Sequence, residues 1–131
     1  GLKVVRIGSD ESCDPRLLSI KAVSDGLTVE LAVQGTSHKL HLPLIGAFQA
    51  ENAVVALALA GALGADMQSA VPALETLHAA PGRMQFCGLR DNGAAIFVDY
   101  AHTPDALETV LAAVRPHAKD RVHVVFGCGG A

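Results

Sequence analysis

The sequence predicts an α/β chain, with β strands and buried helices in its first two thirds and a βαβ unit at its end. Three observations predict this. Leu27, Val29, Leu31 and Val33 alternate with Thr28, Glu30 and Ala32, the pattern of a strand with one wet face. Residues 47–64 are apolar nearly all round, the pattern of a buried helix. An apolar run from Ala94 to Val98, a helical pattern and a second apolar run from Val122 to Phe126 read as strand, crossover helix and parallel strand.

In chain order, Lys3 to Ile7 reads as a short strand. Leu17 to Val23 and Leu27 to Val33 are two more, joined by the tight-turn sequence Ser24-Asp25-Gly26. A turn over Gln34 to Ser37 leads to a strand carrying Leu40, Leu42 and Leu44, with Pro43 near its end. The apolar helix over 47–64 is rich in Ala, which permits close packing, and Gly64 closes it. A shorter helix is expected over about Ser69 to His78, with Pro72 in its first turn and Val71, Leu74 and Leu77 inward. After the turn Arg90-Asp91-Asn92-Gly93 comes the strand ending at Asp99. Thr103 is placed to cap the next helix, Pro104 suits its first position, and Asp105 complements its dipole. Leu107, Val110, Leu111 and Val114 share one face, and Pro116 ends the helix. Two units are expected, residues 1–88 and residues 89–131, with the boundary between about 82 and 93. The chain lacks an initiating Met and stops after a glycine-rich turn, so an internal piece of a longer protein is expected.

Half of the residues are hydrophobic and 18% are charged, so the chain can bury a core. A net charge of −3 without a basic run argues against nucleic acid or an anionic membrane as partner, and 4% aromatics disfavours a base-stacking surface. The most apolar stretch, Ala53 to Leu63, is too short to cross a bilayer, so no membrane insertion is expected. Three well-separated cysteines, Cys13, Cys87 and Cys128, fit reduced thiols in a cytoplasmic protein.

Polar side chains gather where strands end and helices begin, the place where open α/β sheets bind ligands. Asp99 there could accept two ribose hydroxyls, or simply cap its own turn. His102 reads as a hydrogen-bonding group before a helix, either to a ligand or to the local backbone. Asn52 offers the paired donor and acceptor that suit an adenine edge, and equally suits the first turns of a helix. Arg83 presents a guanidinium fork for phosphate or ribose oxygens, or for an interdomain salt bridge. The turn Gly127-Cys-Gly-Gly130 resembles a phosphate cradle.

Three motifs, in this order and spacing, resemble the Mur ligase family: residues 44–52 (LIGAFQAEN), 81–85 (PGRMQ) and 99–105 (DYAHTPD) with the sequel at 127–130 (GCGG). The resemblance covers essentially the whole chain. It implies that residues 1–88 are the C-terminal part of a central ATP-binding domain, and that residues 89–131 open a Rossmann-like C-terminal ligase domain. It implies nucleotide binding by Asn52 at adenine, Asp99 at ribose, and Arg83 and His102 close to ATP. Gln49 stands where many members have another Asn, and Ala131 where an Asp is usual. The implied activity is ATP-dependent amide ligation in peptidoglycan precursor synthesis, with ATP and Mg²⁺. The carboxylate of UDP-N-acetylmuramoyl-L-alanyl-D-glutamate becomes an acyl phosphate, attacked by a third amino acid, meso-diaminopimelate or L-lysine. No catalytic residue is assigned within this chain, which alone is expected to be inactive. The alternatives are another Mur or folylpolyglutamate-type ligase, and a non-catalytic nucleotide-binding module.

Overall fold

The computed structural model describes residues 4–127 and has a mixed α/β fold. Strands β1 (Arg16–Val23), β2 (Gly26–Val33) and β3 (Thr36–Leu42) form an antiparallel meander in that order. The alternation read in β2 sets its faces: Leu27, Val29, Leu31 and Val33 are each at most 2% exposed. Register then aligns the layer, with Leu27 opposite Leu42, Val29 opposite Leu40 and Leu31 opposite Leu17. On the wet face Glu30 sits opposite Lys39, and their charged groups meet at 3.1 Å. Lys39 holds the Glu30 carboxyl below its usual range, but an exposed pair of this kind adds little stability.

Helix α1 (Phe48–Ala62) covers this apolar layer with Ala50, Ala53, Val54, Leu57 and Ala58. These positions recur at helical spacing on one face. The expectation of burial all round is corrected: Leu59 is 60% exposed and Val55 is exposed too, because the three-stranded sheet covers one side only. The expected helix over Ser69 to His78 is also corrected. Helix α2 (Met67–Ala70) starts earlier, at Asp66, whose carboxylate accepts the Gln68 N–H and the Ser69 hydroxyl. It then tightens into a 3-10 turn, Val71–Thr76. Pro72 lies six residues after the cap, where its missing N–H would break an α ladder. Val71 and Leu74 still reach the core, as expected.

Residues 4–7 are not a strand; a lone parallel bridge joins Gly8 to Arg16. The β1 edge beside it is broken by a bulge between Leu17 and Ser19, which interrupts the ladder such a strand would need. The βαβ reading is corrected in its pairing. Strand β5 (Ala95–Val98) pairs antiparallel with β4 (Gln85–Leu89), and Val122 to Phe126 forms no strand. The Arg90 to Gly93 turn closes this hairpin through Arg90 N–H to Ala94 O (2.9 Å) and Gly93 N–H to Arg90 O (2.8 Å). An adjacent antiparallel partner needs only a short turn, whereas a parallel partner needs a whole crossover and gains slightly less per residue. Helix α3 (Pro104–Val114) forms as read. Its apolar face, with Leu107 and Leu111, lines an open groove shared with Val122 and Val124.

Two substitutions test this packing by urea unfolding. Leu31→Ala is expected to cost about 2–5 kcal/mol, while Leu59→Ala should fall within about 0.5 kcal/mol of the parent; equal losses would contradict the one-sided core. At Gly26, φ is +156° and an added Cβ would collide with the Leu42 carbonyl oxygen. Gly26→Ala should therefore destabilise by about 1–3 kcal/mol. A neutral result would mean that β2 and β3 are not held this closely.

Candidate functional site

The hairpin brings the ends of β4 and β5 together, with Gln85 opposite Val98. Residues just outside that pair, Met84 and Asp99, are thereby neighbours. The Asp99 carboxylate uses the arrangement twice: Oδ2 accepts the Met84 N–H at 2.9 Å, and Oδ1 accepts the Ala101 N–H at 2.8 Å. Two further bonds tie the same loops. The Tyr100 N–H donates to the Gly82 carbonyl at 2.9 Å, and the Gly82 N–H donates to Gln85 Oε1 at 3.0 Å.

Met84 is the buried anchor of this junction. Its φ is +47°, in the left-handed region that a side chain enters only at a cost. Burial of its side chain, 3% exposed, and the Asp99 bond offset that cost. Arg83 is held between the two bonded residues, Gly82 and Met84, and its side chain is exposed. The clasp thus fixes the backbone from which the guanidinium projects.

His102 lies at the start of the next turn. Its Nδ1 lies 3.0 Å from the Tyr100 carbonyl, so that nitrogen carries the proton and donates, leaving Nε2 open. The ring packs edge-on against Tyr100, with centroids 5.1 Å apart. Thr103 then caps α3, accepting the Ala106 N–H at 3.3 Å, and Asp105 sits in the first turn. The cap, the proline and the acidic first turn are all as read from the sequence.

Arg83, Asp99 and His102 are therefore brought into one set of knitted loops. Asn52 is not bonded to them. It is exposed on α1, where its Nδ2 donates to Gln49 Oε1 at 3.3 Å. For Asp99 the turn-capping role is present in the geometry. A carboxylate offers about four acceptor positions, and the backbone takes two, so two stay open to a ligand. Of the turn at 127–130, residues 128–130 lie outside the described residues. Among the described residues, no group of three His, Cys, Asp or Glu side chains is placed to hold a metal ion.

Sequence reasoning missed three contributors. Met84 and Gln85 stand in a motif, but nothing in their types announces a positive φ or a bond back to Gly82. His117 lies in none of the three motifs. In the structure its Nδ1 lies 2.7 Å from the Val23 carbonyl, and its Nε2 accepts the Gly46 N–H at 3.1 Å. Partners 94 and 71 residues away leave no local signal.

Known proteins resemble this chain along its length. Residues 82–131 match the family described as Mur ligase, glutamate ligase domain. The chain is 42% identical over 130 residues to the UDP-N-acetylmuramoyl-L-alanyl-D-glutamate–2,6-diaminopimelate ligase of Zymomonas mobilis, covering 99% of this chain and 26% of that protein. It is 52% identical over 101 residues to the ligase of the same name from a Chelativorans species, covering 77% of this chain and 21% of that protein. Among solved structures, a UDP-N-acetylmuramoyl-L-alanyl-D-glutamate–2,6-diaminopimelate ligase superposes with a TM-score of 0.72 at 38% identity, covering 93% of this chain and 25% of that one. The Mycobacterium tuberculosis folylpolyglutamate synthase complexed with ADP superposes with a TM-score of 0.58 at 26% identity, covering 76% and 22%. The chain spans about a quarter of the length of the curated relatives it matches along its whole length. With relatives of that name matching along 99% of its length, the chain belongs to the Mur ligase family.

Proposed function

We propose that the chain is the part of an ATP-dependent amide ligase that holds the base and ribose of the nucleotide. The ligase adds meso-diaminopimelate to UDP-N-acetylmuramoyl-L-alanyl-D-glutamate during peptidoglycan precursor synthesis. The observation that carries this reading is the 42% identity, across 99% of the chain, to a relative named for that substrate and that amino acid. The first unit is the end of the central domain and the second the opening of the C-terminal domain. Because β4 and β5 pair with each other, we set the junction just before the hairpin, near Pro81 and Gly82.

The chemistry assigns the residues as follows. Carboxylates do not condense with amines in water, so the glutamyl carboxylate first takes the γ-phosphoryl of ATP, and the resulting acyl phosphate is attacked by the amine. ADP and phosphate leave. Catalysis of phosphoryl transfer is chiefly positioning and charge stabilisation. Asp99 accepts ribose hydroxyls with the lone pairs that Met84 and Ala101 leave open. Arg83 reaches ribose or phosphate oxygens from its clasped loop, and the open Nε2 of His102 bonds to the nucleotide. Asn52 meets the adenine edge. Mg²⁺ offsets phosphate charge in this reaction class, and no described residue of this chain is assigned to it. The reaction takes place in the cytoplasm; among the described residues no helix is long and apolar enough to cross a membrane.

Asp99→Asn in the full-length protein keeps the side-chain shape and one acceptor oxygen for the backbone. It is expected to raise the KM for ATP about tenfold, the size of one lost charge-assisted bond. The preference for ATP over 2′-deoxy-ATP should shrink with it, and the KM for the muramoyl dipeptide should stay put. A lowered Tm with unchanged ATP kinetics would leave Asp99 a backbone clasp and nothing more.

Arg83→Ala separates ligand contact from folding. The side chain is exposed, so Tm should move by no more than a few degrees, while the KM for ATP rises several-fold. Normal ATP kinetics in this variant would remove Arg83 from the site.

A further inference from the structure

We infer that His117 is a positioning residue of the nucleotide site, joining the loops that carry Asp99 and His102 to the helix that carries Asn52. The inference rests on the nucleotide reading above. His117 ends the short 3-10 turn Arg115–His117 that follows α3. Its two bonds, to the Val23 carbonyl (2.7 Å) and from the Gly46 N–H (3.1 Å), use both ring nitrogens. The Gly46 nitrogen can only donate, so Nε2 accepts and Nδ1 carries the proton to Val23. Among the described residues, these are the only hydrogen bonds from any residue after 83 to any residue before 80.

The place where the imidazole lands matters. Gly46 is the third residue of the motif that ends at Asn52, and its carbonyl accepts the Gln49 N–H at 2.9 Å as α1 begins. One residue thus meets the ring through its N–H and starts the helix through its carbonyl. The fit is close. Gly46 has φ of +97°, and a Cβ added there would lie 3.1 Å from the Ala113 Cβ of α3. Glycine at 46, Ala113 on α3 and the imidazole after it form one contact between the units. Asn52 lies six residues beyond Gly46, on a helix whose inner face is buried, so the joint sets where its amide stands relative to Asp99. No bond of its own does so.

The test uses the full-length protein and two readouts: the KM for ATP and the preference for ATP over GTP. Base preference reports the Asn52 edge, and a purely structural histidine would not move it. His117→Ala should raise the KM for ATP about tenfold, the loss expected from one or two hydrogen bonds, and should reduce the ATP preference in proportion. His117→Gln, with a donor and an acceptor on one amide, should recover much of both. In an Asn52→Ala background the further effect of His117→Ala should shrink to within about twofold, because the residue acts through Asn52. A fall in Tm with unchanged KM and unchanged base preference overturns the inference. If His117→Ala does not fold, His117→Gln decides it: kinetics and base preference as low as in Asn52→Ala would overturn it. The two readings fail differently. Should Asn52→Ala itself leave both readouts unchanged, the adenine assignment falls and this inference with it. Should Asn52→Ala lose them while His117→Ala does not, this inference alone falls.

Discussion

The inward face of β2 is the surface on which the other elements assemble, because it is the one layer from which water is wholly excluded. Leu27, Leu31 and Val33 are fully covered, and Val29 nearly so. Removal of that much apolar area from water is the main favourable contribution a chain of this size has. Strands β1 and β3 flank it, α1 lies across it, and Val71 and Leu74 close its end. After residue 82 the balance is different. Met84 is the only buried side chain among the described residues there. The hairpin and α3 are held by polar contacts: the Asp99 clasp within the loops, and the His117 bridge back to the first unit.

This division fits the form of the proposed nucleotide site. A ligand-binding loop needs exposed polar groups, and those give little burial with which to order it. Asp99 resolves the conflict by ordering two loops through backbone N–H groups while keeping acceptor capacity in reserve. Met84 adds the one apolar anchor, in a backbone conformation that its neighbours must maintain. Arg83, between the two fixed residues, then needs no packing of its own.

Much of this was legible in the sequence because it depends on local patterns. Strict alternation placed β2 and its faces. Ser24-Asp25-Gly26 placed the first hairpin turn. Thr103, Pro104 and Asp105 fixed the start of α3 to the residue. What escaped depends on partners distant in sequence or on competition between pairings. Gln85 to Leu89 contains Gly88 and a ladder irregularity, so its alternation is broken and the strand is hidden. Val122 to Phe126 has the composition of a strand, but composition does not supply a partner. Residues 47–64 are apolar on every side, and periodicity could not say which half the sheet covers. The motifs at 44–52, 81–85 and 99–105 showed which residues to watch; they did not show that Asp99 binds backbone on both oxygens, or that His117 bonds Gly46 of the first motif.

The account turns on whether Asp99 serves backbone and nucleotide at once. The most direct measurement is a crystal structure of the full-length protein with ADP. The account predicts ribose hydroxyls within hydrogen-bonding distance of the Asp99 carboxylate, with the Met84 and Ala101 N–H groups still donating to the same two oxygens. An ordered ADP whose ribose lies away from Asp99, with the carboxylate bonded to backbone alone, would contradict it.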